Sequence, residues 1–453
     1  MKILSSIKKI KGIKDFFPIL LTSSVQSLIF ISGLVINKCI AVYSGPTGIA
    51  LFGIVKNFHV FFGSFLKLGS DTVIINAAAK SARDKEKEYL LLGAIFRLVF
   101  LQFVVVLFVF SFLDELIFNS IFSLIIPKEF SWLTRVILFL VLLSAISEML
   151  ISFFNGFLDY TKVFSASLFG TLSTLILALT IIPSSITEVT FLALSSGAFS
   201  SLALFVFLYK DYFGRFKINI RKYLFSNLPI STVLLVQPIA VSFTLLLIQQ
   251  LIGKSYGVNS LAYFVLCWTL LGAGMTLMMS SVRMYFLPKL GAMSGHKERN
   301  DFFKKNVFFF ILLAALALIF ISLLSDFIII TLYSEEFLKA SGFLVLLSST
   351  LVLKSFEWIV AVSSWEKERY KFYIIPECLR EIFYITSCFV LVVFEVDFIF
   401  IILGFVISDI LVSLVWIGYL RFYKEELYIN SFLILMIYIF TLIVVIVNFL
   451  RVL

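Results

Sequence analysis

Apolar stretches of about twenty or more residues recur from one end of this chain to the other, each long enough to cross roughly 30 Å of hydrocarbon as a helix. Inside lipid only helices and closed barrels satisfy their own backbone, and continuous apolar runs of this length specify helices. The pattern predicts thirteen spans, at residues 16–42, 49–79, 89–113, 131–157, 163–182, 188–209, 228–252, 259–288, 306–332, 343–364, 372–394, 398–420 and 429–450. Composition agrees: 61% of the 453 residues are hydrophobic and 14% charged, whereas soluble chains run at about half and about a quarter. A soluble enzyme, a nucleic-acid-binding module and a disordered scaffold are excluded. The net charge of +10 would suggest nucleic acid in a soluble chain, but here the basic residues gather in short loops between spans and set topology.

With the N-terminus in the cytoplasm, the loops on that side carry 25 Lys and Arg, and the opposite loops hold only Lys128, Lys254, Lys339 and Arg451. This is the positive-inside bias, and it predicts a multi-pass protein with a cytoplasmic N-terminus and an outward C-terminus. Lys2, Lys8, Lys9, Lys11 and Lys14 resemble the start of a signal peptide, but the apolar run after them reaches Val42, too long for one, so a retained first helix is expected. Cys39, Cys267, Cys378 and Cys388 fall within or at the ends of spans, and no disulfide framework can be drawn.

The basic, aromatic-interleaved stretch 210–227 divides six spans from seven. It reads as an amphipathic cytoplasmic hinge between a lobe at 1–209 and a lobe at 228–420, with an additional span at 421–453. A weak internal repeat supports the division: 212 positions separate Gly45, Ala50 and Phe52 from Gly257, Ala262 and Phe264, in the short turn after each lobe's first helix. Pro229, Pro238, Gly272 and Gly274 are expected points of bending.

Eight basic residues lie inside spans: Lys38, Lys56, Lys67, Arg97, Arg135, Arg283, Lys354 and Arg380. A cation facing lipid at mid-depth costs at least ~2.5–3.5 kcal/mol, so each needs water, a partner or a route to the interface. Lys38 and Arg135 are near an outside end and can snorkel. In the second span Lys56, Gly63 and Lys67 project within roughly 20° of one another, and His59, Ser64, Ser70 and Asp71 widen that stripe. It would line a central cavity, together with Thr22, Gln26, Gly33 and Asn37 of the first span; alternatively Lys67 and Asp71 form an ion pair at i and i+4. Further along, Lys354 is followed one turn later by Glu357 and Trp358, Arg380 lies between Glu377 and Glu381, and Arg283 has no acidic neighbour in sequence. Asp71, Glu148 and Asp409 could pair with these cations or bind a coupling ion. Basic groups outnumber the deep acids, which suits a di-anionic phosphate headgroup.

The strings SGPTGIALFG at 44–53, YFLPKL at 285–290 and LKSFEW at 353–358, the last followed by EKERYK, resemble the Wzx-type O-antigen translocases over residues 1 to about 420. Asn155 and Gly156 before the turn with Lys162 are similar to that family's fourth helix. The resemblance implies the multidrug and oligosaccharidyl-lipid exporter (MATE-like) fold, with two six-helix lobes around a central cavity and alternating access. It implies a non-enzymatic flippase of the bacterial inner membrane, moving an undecaprenyl-pyrophosphate-linked oligosaccharide for lipopolysaccharide biosynthesis. Membrane lipids and polysaccharide polymerase machinery are the implied partners; no cofactor, metal or nucleic acid is expected. Residues 421–453 depart from the usual twelve helices. The candidate substrate contacts are Arg283, Lys354, Lys56, Lys67, His59, Arg97, Arg380 and Trp358.

Two other classes remain. A drug or metabolite antiporter on the same fold would use acidic groups to bind organic cations. A membrane O-antigen polymerase or glycosyltransferase needs an acid or a large outside loop to hold acceptor and metal; YSGPTG has no acid, no outside loop is long, and His59 and His296 are the chain's two histidines.

Overall fold

The computed structural model describes residues 13–67, 74–75, 78, 85–157, 159–181, 183–212, 228–281, 296–366, 370–422 and 431–452. Its longer helices are α1 (Ile13–Lys67), α2 (Lys85–Phe112), α3 (Leu133–Gly156), α4 (Tyr160–Thr180), α5 (Ile186–Tyr212), α6 (Leu228–Ser281), α7 (His296–Leu332), α8 (Ala340–Ser348), α9 (Thr350–Glu366), α10 (Tyr370–Val393), α11 (Phe398–Phe422) and α12 (Ser431–Val452), with short helical turns at Asp114–Ile117 and Phe118–Phe122. No strand occurs among the described residues. Nine of these helical stretches are long and apolar enough to cross a membrane. The chain is an all-α polytopic membrane protein.

The described part of each expected span lies on helix, and the differences are in how helices join. α1 and α6 are each two spans run together across a single glycine with positive φ, Gly45 (φ 59, ψ −152) and Gly257 (φ 83, ψ 172). An L side chain meets its own backbone there, so glycine is what lets the chain reverse without a longer loop. At Gly45 the following Pro46 adds a second constraint, because proline disfavours helical geometry in the residue before it. The weak repeat thus marks equivalent joints. Its other members match too: Ala50 and Phe52, like Ala262 and Phe264, are buried. A short 3₁₀ turn, Lys128–Phe130 or Glu335–Phe337, precedes α3 and α8 at corresponding places.

Span 343–364 falls on α8 and α9, which Ser349 joins with helical dihedrals (φ −58, ψ −26), so that 340–361 runs as one apolar stretch. Within α6 only Gly257 leaves helical dihedrals, and Pro238 stands inside the helix. α7 leaves helical dihedrals at Leu324 (φ −117, ψ 16), where the sequence carries no proline or glycine.

The chain divides into two compact units, Met1–Ser44 with Leu51–Phe243 and Gly45–Ala50 with Thr244–Leu453. Of segment 210–227, read as the hinge, residues 210–212 end α5 and 213–227 lie outside the described residues. In the first unit α5 packs on both α3 and α4. Small residues make these approaches close: a Cβ on Gly197 would lie 1.6 Å from Ser144 Oγ, and one on Gly170 would lie 2.1 Å from Ser200 Oγ. In the second unit α11 packs likewise on α9 and α10, and α12 lies against α8 and α9. Its core is apolar, built on Phe303, Phe310, Phe356, Ile359 and Trp416, and Trp358 packs against it.

Candidate functional site: a buried charge cluster in the second unit

Helix α10 places Glu377, Arg380, Glu381 and Tyr384 at i, i+3, i+4 and i+7, which is one face of a helix. That face meets Lys354 and Glu357 of α9 and Asp409 of α11. The Arg380 guanidinium reaches three carboxylates: Nη1 donates to Glu377 at 2.5 Å, Nη2 pairs with Glu357, and Nε lies 3.1 Å from Asp409 Oδ1. Lys354 Nζ donates to the Tyr384 hydroxyl at 3.0 Å and lies 3.4 Å from Asp409 Oδ2, while Tyr384 donates to Asp409 Oδ1 at 2.5 Å. Glu381 accepts from the Thr244 hydroxyl.

All the carboxylates of this cluster are buried, and so is Arg380; the Lys354 side chain, 12% exposed, is its most accessible cation. Trp268 and Tyr384 place their rings 5.3 and 5.5 Å from its ammonium, within cation–π range. Phe264 and Phe405 extend this aromatic wall. Four carboxyls against two cations give a formal charge of −2 if every group is ionised. Burial penalises any such imbalance, so the arrangement favours a proton or a cation on the acids.

Two of the sequence candidates for substrate contact, Lys354 and Arg380, therefore come together with Asp409. Spacing had pointed to Glu377 and Glu381 as Arg380's partners; Glu377 is one, and the other two come from different helices. Tyr384 and Trp268 were not singled out. Tyr384 could have been, since it sits one turn beyond Arg380 on the same face.

A second polar group lies in the first unit. Lys67, at the end of α1, forms its ion pair with Glu148 of α3, while Asp71, the partner expected at i+4, lies outside the described residues. Gln102 of α2 donates to the Leu66 carbonyl at 2.6 Å and contacts Met149 Sδ at 3.1 Å. The stripe on α1 is graded: Gly63 and Ser64 are buried, His59 is half-buried within electrostatic range of Glu148, and Lys56 is exposed with its ammonium 4.4 Å from the Phe52 ring. Arg97 lies on an exposed face of α2. Arg135, read as snorkelling, is exposed and pairs with Asp114 at 2.7 Å. Arg283 lies outside the described residues.

A family model described as polysaccharide biosynthesis protein matches residues 18–294, more than half of the chain. The chain belongs to the polysaccharide biosynthesis protein family. No curated relative matches it by sequence. Among solved structures, it is similar to the inward-facing conformation of a multidrug resistance MATE family transporter of the MOP superfamily, with TM-score 0.71, 16% identity, and 88% of this chain and 94% of that one covered. It is also similar to a MOP superfamily transporter from Pyrococcus furiosus, with TM-score 0.63, 16% identity, and 90% and 93% covered. A third is the lipid II flippase MurJ in an inward closed conformation, with TM-score 0.62, 14% identity, and 96% and 98% covered. At these identities the likeness concerns fold. This member of the family has the MATE-like fold.

Proposed function

We propose that this family member is a flippase moving a polyprenyl-pyrophosphate-linked oligosaccharide, of the O-antigen repeat-unit type, from the cytoplasmic to the periplasmic leaflet of the bacterial inner membrane by alternating access. The observation that carries this reading is the polysaccharide biosynthesis match on a fold shared over nearly the whole chain with a lipid II flippase. The proposed pyrophosphate contacts are Arg283 and Lys354, with Lys56 or Lys67 of α1. Lys354 is favoured because it is the most accessible cation of its cluster and its Asp409 partner is shared with Arg380. His59, Arg97 and Trp358 complete the proposed set, and Arg380 acts by neutralising the acids beside Lys354. Asp71, Glu148 and Asp409 are the proposed coupling-ion positions.

The acid excess around Arg380 favours a second reading, an antiporter of an organic cation on the same fold. One experiment separates the two. In a strain deleted for its own O-antigen flippase, expression of this chain should restore surface polysaccharide on a gel, and Lys354→Gln should abolish it at matched membrane abundance. No restoration, together with acquired resistance to cationic drugs, would favour the antiporter.

A further inference from the structure

The last described helix, α12, leaves a cavity of about 450 Å³ where it meets the other helices of the second unit. Its lining includes Ser325 and Asp326 of α7, Lys339, Ser341 and Phe343 around the start of α8, and Asn448 of α12. The backbone break at Leu324 immediately precedes the first two. Asp326 and Lys339 are both exposed, and neither makes an ion pair or hydrogen bond among the described residues. The cavity thus offers one carboxylate and one ammonium, with hydroxyl and amide groups between apolar walls.

Its flanks are apolar and bare. On α7 Leu323 is 76% and Phe327 66% exposed, and on α12 Ile443 and Val447 are 54% and 58% exposed. In a polytopic membrane protein such faces meet acyl chains. Asp326 is six residues before the end of α7, about 9 Å along a helix axis, which puts it nearer that end of the span than its middle.

We propose that this cavity binds the headgroup of a zwitterionic aminophospholipid, with the primary ammonium on Asp326 and the phosphate on Lys339, its chains lying along α7 and α12. A carboxylate and an ammonium lining one cavity match a ligand that carries both charges. A primary ammonium can donate hydrogen bonds to Asp326 and Asn448, which a quaternary choline cannot. An anionic headgroup would meet Lys339 but be repelled by Asp326.

Native mass spectrometry of the purified full-length protein tests this with phosphatidylethanolamine, phosphatidylcholine and phosphatidylglycerol of identical chains. Phosphatidylethanolamine should be retained roughly tenfold over phosphatidylcholine, the scale of one charge-assisted hydrogen bond. Asp326→Asn should bring the two to parity, and Lys339→Gln should weaken both. Glycerophosphoethanolamine, which lacks chains, should compete at least roughly tenfold less well than the lipid, which separates a lipid site from one for a soluble phosphoamine. As a second readout, added phosphatidylethanolamine should raise the melting temperature of the native protein and not that of the Asp326→Asn, Lys339→Gln double variant. Equal retention of all three lipids, a preference for phosphatidylglycerol, or selectivity unchanged in Asp326→Asn would overturn the proposal.

Discussion

The Lys354 ammonium lies 3.4 Å from a carboxylate oxygen of Asp409, and the other oxygen of that carboxylate is already engaged by Tyr384 at 2.5 Å and Arg380 at 3.1 Å. Asp409 is therefore shared between two cations that differ in burial and in number of partners. Arg380 is fixed by three carboxylates; Lys354 is held by one shared carboxylate, a hydroxyl and two rings. The two positions should answer differently to loss of charge.

Arg380→Gln leaves Glu357, Glu377 and Asp409 buried without their common partner. Breaking a buried pair by removing one member costs about 3–5 kcal/mol, so this variant should melt far below the wild type or fail to accumulate. Lys354→Gln should cost less stability than Arg380→Gln, because Asp409 keeps its contacts to Arg380 and Tyr384, and should lose polysaccharide export. Melting curves in detergent beside the export assay check this; equal destabilisation by both substitutions would show that Lys354 is only a structural member.

Gly257 has nothing within 4 Å of where a Cβ would be, so any cost of substitution there comes from the backbone alone. Its φ of 83° with ψ of 172° lies in a region essentially restricted to glycine, outside the left-handed helical well that asparagine tolerates. Gly257→Ala should lower stability by about 1–3 kcal/mol, and Gly257→Asn should do no better. Rescue by asparagine in a thermal melt would mean that the joint can relax into the left-handed helical well.

The elements were legible because hydropathy over about twenty residues answers directly to bilayer thickness. The joints were partly legible: the Gly45 and Gly257 match was visible as a faint repeat, while the break at Leu324 carries no proline or glycine to announce it. Charge pairing was readable only within a helix. Glu377 and Arg380 share a face of α10 and do pair, but Lys67 meets Glu148 from another helix, and Arg380 collects Glu357 and Asp409 from two. Those partners depend on which helices pack together, which local spacing does not encode. The surplus of basic residues counted along the chain likewise gives way locally to an excess of acids around Arg380.

Close approach of α3 and α5 depends on Gly197. A Cβ there would sit 1.6 Å from Ser144 Oγ and 3.0 Å from Ser144 Cα, so the helices must separate to admit it. Gly197→Ala should cost about 1–3 kcal/mol as overpacking. Adding Ser144→Gly removes the nearer atoms and should recover part of that loss, giving a non-additive double-mutant cycle. Additive effects would place the strain elsewhere.

Asp159 caps the N-terminus of α4, accepting from the Lys162 backbone N–H, and pairs with Lys162 Nζ at 2.9 Å. Partial burial works to raise its pKa, but the hydrogen bonds from Lys162 and Thr161 and the Lys162 charge outweigh it, so the carboxyl titrates below its ordinary value of 3.8. A depressed folded-state pKa contributes stability above the unfolded value, and that contribution disappears as pH falls through the lower folded value. Asp159→Asn keeps a cap without a titrating charge and should flatten this acid limb below about pH 4. Asp159→Ala should cost about 1 kcal/mol at neutral pH. Identical acid melting profiles for wild type and Asp159→Asn would remove Asp159 from the pH response.

Energy coupling follows from what the chain carries. Its sequence has no Walker-type phosphate loop, so ATP hydrolysis by this chain is not supported, and we propose the membrane potential as the driving force. An inside-negative potential drives a di-anionic headgroup outward with about 2.3 kcal/mol per charge per 100 mV. The acid excess beside Lys354 supplies a second lever, because a proton or cation on those carboxylates would weaken their hold on Lys354 and let it meet the headgroup. In liposomes holding purified protein and a labelled polyprenyl-pyrophosphate lipid, a potassium-valinomycin potential negative on the cytoplasmic side should speed transfer toward the opposite leaflet, and the reversed potential should slow it. Asp409→Asn and Glu148→Gln should remove any response to a proton or sodium gradient while leaving the response to voltage. A rate indifferent to voltage and to both gradients would mean passive exchange, drawn outward only by consumption of the lipid on the far side.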